Sequence, residues 1–183
     1  MNFGMPHIHK ASIQTKDTLS DKAVIRIVKP YLKRAKFVID PFSRNCTLAK
    51  PYTNDIDPNT NANHHMDVID FLKKAHSLWK SIFELAIYDP PFSNRQNKEI
   101  YGDTNLYTIP KKVRDLELLL GGLIIPKGHI IKFGYNSNFT HQGFELVDVH
   151  LIQYGGSIND MIVSIHQRTH LDIKELENYG KDE

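Results

Sequence analysis

"LAIYDPPFSNRQ", Leu85 to Gln96, sets an apolar run directly against an acid, two prolines and an aromatic ring. Leu85 to Tyr88 reads as a buried strand, and Asp89-Pro90-Pro91 cannot continue a sheet, because proline lacks the N–H that a ladder requires. A carboxylate is left at the lip of the strand. The rest of the chain has to supply its reason.

Upstream, Met66 to Ile82 carries Ile69, Phe71, Leu72, Ala75, Leu78, Trp79 and Ile82 at helical intervals. Before it, "KFVID" (Lys36–Asp40) predicts a short buried strand closed by "PFSRN", and "YTNDID" (Tyr52–Asp57) predicts a second. Thr18 to Arg34 predicts a helix that Pro30 kinks or shortens. Downstream of a polar loop, Ser93 to Asn105, "VRDLELLLGGLIIP" predicts a helix ending near Gly121-Gly122 and "HIIKFG" a strand. "FELVDVHLIQY" (Phe144–Tyr154) and "DMIVSIHQR" (Asp160–Arg168), joined by "GGSIN", predict a β-hairpin. Strands alternating with helices imply an α/β fold: a mostly parallel sheet, helices on both faces, and an antiparallel edge from the terminal hairpin. The expected organisation is a single domain over residues 1–170 and a charged tail over 171–183.

Composition narrows the class. Apolar residues make up 40% of the 183 and charged ones 24%, ordinary for a chain able to bury a core. The formal charge is only +2, so no global field advertises a polyanionic partner. Basic residues do gather at Lys10, Lys16, Lys22, Arg26, Lys29, Lys33, Arg34 and Lys36. A solvated helix face explains most such runs, with nucleic-acid contact as the sharper alternative. Cys46 is the only cysteine, which excludes an intrachain disulfide and favours a reducing compartment. No run approaches the ~18 apolar residues of a membrane span, and no apolar signal core opens the chain, so a cytoplasmic protein is expected. His64-His65 and His7-x-His9 have no cysteine partners and no helical H-E-x-x-H, so no metal is expected.

In open α/β sheets ligands sit beyond the carboxyl ends of the strands. Here those ends are Asp40, Asp55 and Asp89. Grouped carboxylates repel and burial raises the cost of ionising them, so a cationic or hydroxyl-rich ligand accounts for them better than stability does. No glycine occurs between Gly4 and Gly102, so the G-x-G-x-x-G fingerprint and the Walker loop are both absent. S-adenosylmethionine has no phosphate but offers a sulfonium, an ammonium and a ribose diol. It suits these acids better than NAD or ATP. The lip of the strand then has a use. An exocyclic amine on a nucleobase is a weak nucleophile, and the Asp89 carboxylate with the Pro90 carbonyl can hold its two hydrogens while Pro91 stiffens the backbone and Phe92 stacks on the base. A duplex base reaches such a pocket only by leaving the stack.

With these residues the chain resembles the S-adenosylmethionine-dependent amino-methyltransferases of DNA bases, over about Gln14 to Arg168. "DPPF" (Asp89, Pro90, Pro91, Phe92) is similar to their catalytic motif, and "FVIDPFSRNC" (Phe37–Cys46) to their cofactor loop. The resemblance implies a Rossmann-like methyltransferase fold with a seven-stranded sheet. It places cofactor contacts at Asp40, Pro41, Phe42, Ser43 and Asn45, a ribose-binding acid at Asp55 with Ile56 beside it, and adenine contacts at Asp67 and Val68. Thr15, in the segment before the first helix, is the candidate at the methionine end. The chain also resembles small phage-encoded DNA methylases, with "DPF-A-R-N-C", "NDLNP", and "DPPY" leading into an Arg-Gln pair that Arg95 and Gln96 match. In this sequence Arg44 and Asn45 stand where the wider family has glycines.

Asp at the first motif position implies adenine N6 in DNA, flipped or single-stranded, as the target. Cytosine N4, an RNA adenine and a catalytically inactive binding module remain as alternatives. Arg95, Gln96, Lys98 and Tyr101, in the loop after the motif, are the candidate substrate contacts, and "FGYNSNFTHQG" (Phe133–Gly143) is a further one. The chain is short for a methyltransferase with its own recognition domain. Sequence choice therefore falls to loops, to a separate partner of a monomer or homodimer, or is hardly made at all.

Overall fold

The computed structural model describes residues 6–11, 17–91, 110–155 and 159–169. Six strands form one sheet: β1 (His7–Lys10), β2 (Val38–Ile39), β3 (Phe83–Tyr88), β4 (Ile124–Gly134), β5 (Phe144–Gln153) and β6 (Met161–Arg168), in the order β1-β5-β6-β4-β3-β2. Only β6 runs against its neighbours, so the sheet is mostly parallel with a C-terminal antiparallel hairpin.

Among the described residues three α-helices cover the two faces. On one face α1 (Lys22–Leu32) buries Ala23, Val24, Ile27 and Val28 against Leu85, Ile87, Ile131 and Val163. On the other, α2 (Val68–Leu78) and α3 (Pro110–Gly122) lay Phe71, Leu72, Ala75, Leu116 and Leu120 over Ile39, Ala86, Tyr88 and Ile130. β3 sits between these layers, which is why its sequence is an almost unbroken apolar run rather than an alternating one. Each early helix begins at an aspartate. Asp21 accepts the Ala23 N–H at 2.7 Å and Asp67 the Ile69 N–H at 2.8 Å. Pro30 lies in the last turn of α1, which stops two residues later. At the end of α3, a Cβ on Gly121 would stand 2.4 Å from the His141 ring, so only glycine lets that loop close on the helix.

Among the described residues the expected seven strands are six. The strand predicted over Tyr52–Asp57 is reduced to single bridges, Asp40 to Thr53 and Asn54 to His64. Its polar side chains are the cause. Asn54 and Asp55 bond neighbouring backbone rather than leaving it to a ladder. The added element is β1, which pairs parallel with β5 and is fastened by a 3.1 Å contact between the His9 and His150 rings. The charged tail expected over 171–183 lies outside the described residues. Among the described residues no helix is long and apolar enough to cross a membrane.

Candidate active site

β2 and β3 are parallel neighbours, so Asp40 and Asp89 leave the sheet at the same edge, and the bridge from Asp40 to Thr53 brings Asp55 beside them. Asp40 is 2% exposed. Its Oδ1 accepts the Phe42 N–H at 3.1 Å, and burial, reinforced by the charges of Asp89 and Asp55, holds its carboxyl well above the ordinary carboxylate range. Asp55, also 2% exposed, is pushed up by burial although the Asp57 and Arg44 N–H groups bond it at 2.9 and 3.1 Å. Asp89 is partly buried, and desolvation pushes it up to about 6 against a hydrogen bond from the Thr18 side chain and the charge of Arg44. Three acids therefore converge, each at a cost to its charged form.

The loop between Asp40 and Asp55 is built from backbone contacts. Ser43 donates its N–H to the Asn54 carbonyl at 2.9 Å and its hydroxyl to the same oxygen at 3.3 Å. The buried Asn54 amide donates to the carbonyls of Pro41 and Met66, and its oxygen accepts the Met66 N–H. One side chain thus ties the 41–46 loop to the start of α2. Arg44 adopts φ 46°, the left-handed conformation that glycine takes without cost. The backbone thus keeps the shape that a glycine there would permit. Its guanidinium meanwhile stands 3.6 Å from Asp17.

The remaining predicted residues divide. Pro41 is buried, and the partly buried Phe42 ring is tilted 6.1 Å from Tyr88. Asn45 is exposed and accepts the Asn61 N–H. Ile56 is 40% exposed, an apolar surface beside Asp55, whereas Val68 is buried in the core. Asp67 caps α2 with one oxygen and pairs with Lys112 at 2.9 Å through the other. Pro90 and Pro91 are buried behind Asp89. Thr15, Phe92, Arg95, Gln96, Lys98 and Tyr101 lie outside the described residues.

The fold adds four residues that sequence reasoning missed: Thr18, Asp17, Arg44 as a charge, and Asn54. Thr18 opens the short 3₁₀ turn Thr18–Ser20 before α1, in the very segment singled out for Thr15. The Tyr154 phenol, raised by burial and by Asp21, also senses the Asp89 charge. Among the described residues no group of three or more His, Cys, Asp or Glu side chains is arranged to hold a metal ion.

This order of strands and helices recurs in solved structures. The N-methyltransferase NodS from Bradyrhizobium japonicum WM9, in complex with S-adenosyl-L-homocysteine, superposes with a TM-score of 0.53 at 11% identity, over 85% of this chain and 94% of that one. The chain has a Rossmann-like methyltransferase fold. TrmN from Thermus thermophilus is similar over 81% of this chain, with a TM-score of 0.52 and 12% identity, and the match spans 49% of TrmN. The Burkholderia thailandensis 1,6-didemethyltoxoflavin-N1-methyltransferase, bound to 1,6-didemethyltoxoflavin and S-adenosylhomocysteine, matches with a TM-score of 0.52 and 11% identity, over 81% of this chain and 78% of its own. No family model and no curated protein sequence matches the chain.

Proposed function

We propose that the protein is an S-adenosylmethionine-dependent methyltransferase acting on the exocyclic N6 of adenine in DNA. The observation that carries this reading is the convergence of Asp40, Asp55 and Asp89 at one sheet edge, each raised by burial. The donor set fits the cofactor. An ammonium suits Asp40, a ribose diol suits Asp55, and the exposed Ile56 offers an adenine ring an apolar face, with Asp67 and Val68, at the start of α2, as the further adenine contacts of the proposal. The left-handed backbone at Arg44 gives the loop the compact turn that close approach requires.

When bound, S-adenosylmethionine supplies a methyl carbon activated by its sulfonium. The chain's own residues prepare the nucleophile. Ionised Asp89 accepts a hydrogen bond from the adenine amine and the Pro90 carbonyl accepts the other, which frees the nitrogen lone pair from the ring; the proton that the nitrogen sheds on gaining the methyl group leaves through Asp89. The buried Pro90-Pro91 pair keeps that carbonyl fixed, so the gain lies in orientation and preorganised charge rather than in a strong base. Phe92 stacks on the flipped base, and Arg95, Gln96, Lys98 and Tyr101 contact the surrounding strand.

The test is transfer of a labelled methyl group to adenine-containing DNA, with Asp89→Ala as control and an RNA of matched sequence as competitor. Transfer to DNA N6 that vanishes in Asp89→Ala supports the proposal. Full activity in that variant ends it, preference for RNA or for cytosine reassigns the substrate, and cofactor binding without transfer marks a non-catalytic module.

A further inference from the structure

The solvent face of α1 has no part in the chemistry above, yet it is strongly charged. Between residues 22 and 36 stand Lys22, Arg26, Lys29, Lys33, Arg34 and Lys36, all exposed and with no acid among them, in a chain whose net charge is +2. Lys22, Arg26, Lys29 and Lys33 follow one another at i, i+4, i+7 and i+11, so they form a single stripe opposite the buried Ala23, Val24, Ile27 and Val28. Among the described residues none of these cations is ion-paired.

Such a face works against the helix that bears it. Like charges three and four residues apart destabilise a helix by about 0.2–0.5 kcal/mol per pair. Lys22 in the first turn also opposes the macrodipole, and the cap Asp21 is the one acid there to offset it. A face meant only for solvation does better with mixed signs. The surface is also shaped: Arg26, Lys29, Pro30, Lys33 and Arg34 line an open groove of about 410 Å³. Arg34 continues into a second groove, of about 230 Å³, with Lys127 and His129. The only acid lining it, Glu84, already accepts the Lys36 and Phe37 backbone N–H groups.

We propose that the α1 stripe is a docking surface for the phosphate backbone of duplex DNA flanking the target base. The inference rests on the DNA-methylation reading and names where the duplex lies. α1 starts at its cap Asp21, directly after the turn whose Thr18 bonds Asp89, so the stripe begins at the candidate site and leads away from it. Eleven residues extend about 16 Å, close to five base-pair steps of one strand at ~3.4 Å each. The contacts carry no sequence information; they hold the duplex in register while a base enters the pocket.

The experiment uses the full chain and a 20-base-pair duplex, with affinity followed by fluorescence anisotropy across a salt series. The probe variant is the triple charge reversal Arg26→Glu, Lys29→Glu, Lys33→Glu. Each phosphate contact contributes about 0.9 to the slope of log K against log salt, so the variant's slope is expected to fall by about 2–3 and its affinity by 10-fold or more. Its melting temperature should stay within a few degrees of the parent's, since the pair between Lys22 and position 26 becomes attractive while positions 26, 29 and 33 remain alike in sign. Its cofactor affinity, and its turnover on a short single-stranded adenine substrate, should match the parent protein. A wild-type salt slope in the reversed variant overturns the proposal, as does at least 10-fold tighter binding of matched duplex RNA by the parent chain. Slope loss in a protein that transfers no methyl group supports the surface while removing the catalytic reading, so the two failures are distinguishable.

Discussion

One sheet carries two sets of buried charges, and they are treated differently. Beneath the loop after β4, Glu117, whose side chain is 3% exposed, meets Lys132 at 3.0 Å and accepts the Thr140 N–H at 2.8 Å, while the Lys132 ammonium lies 5.8 Å from the centre of the Tyr88 ring. At the ends of β2 and β3, Asp40 and Asp55 are as deeply buried, but the charges Asp40 senses are those of Asp89 and Asp55. A paired buried charge anchors a loop. A buried cluster of one sign opposes the fold and is accounted for by what it binds.

The sharpest way to break this contrast is Asp89→Ala. Methyl transfer should fall about 10³-fold at saturating DNA while calorimetry with the cofactor changes by less than 2-fold. Comparable in energy but opposite in kind is Glu117→Ala, which strands Lys132 without its anion. Urea titration should show a loss of about 3–5 kcal/mol, partly recovered on adding Lys132→Met.

Acidity sharpens the comparison further. The folded value of Asp89, about 6, lies above the 3.8 of the free side chain, so its contribution to stability is fully present below 3.8 and is lost as pH rises through about 6. Asp89→Asn should remove that loss, worth roughly 2 kcal/mol after solvent screening, and should therefore melt higher than the parent at pH 8 and alike at pH 4. The rate of methyl transfer has the opposite sense, rising with pH through about 6 as the amine clamp ionises. His166 sets the lower limit: burial and Lys132 depress it to about 4, so the stability it contributes is present above 6.5 and lost as pH falls through about 4. The smallest effect belongs to Arg44→Gly. Relief of the left-handed backbone, about 1 kcal/mol, offsets the lost contact with Asp17, and melting should move by only a degree or two. Because Arg44 lowers Asp89, the midpoint of the pH–rate curve should move upward.

What the chain discloses before folding follows from where the physics is local. β3 announces itself because both of its faces are buried, and α1 and α2 because an amphipathic stripe repeats over several turns. β1 carries no such signal. Four residues at a sheet edge, His7–Lys10, owe their conformation to β5, which lies far away in sequence. The strand read at Tyr52–Asp57 fails for the converse reason, since Asn54 and Asp55 spend local hydrogen bonds on turns that a ladder would have used. In the site, the acids are legible because they end apolar runs. Thr18 and Arg44 are not, because only the closed fold sets a turn before α1 and a loop after β2 beside Asp89.

The central claim is that the fold tolerates the acids at the carboxyl edge for the sake of a cationic, hydroxyl-bearing ligand. Asp40→Asn tests it in one protein, by measuring melting temperature and S-adenosylmethionine affinity together at pH 8. The side chain keeps the acceptor for the Phe42 N–H and loses only its charge. The account predicts that the melting temperature rises while affinity falls 10-fold or more. A variant that melts lower and binds the cofactor as tightly as the parent would contradict it.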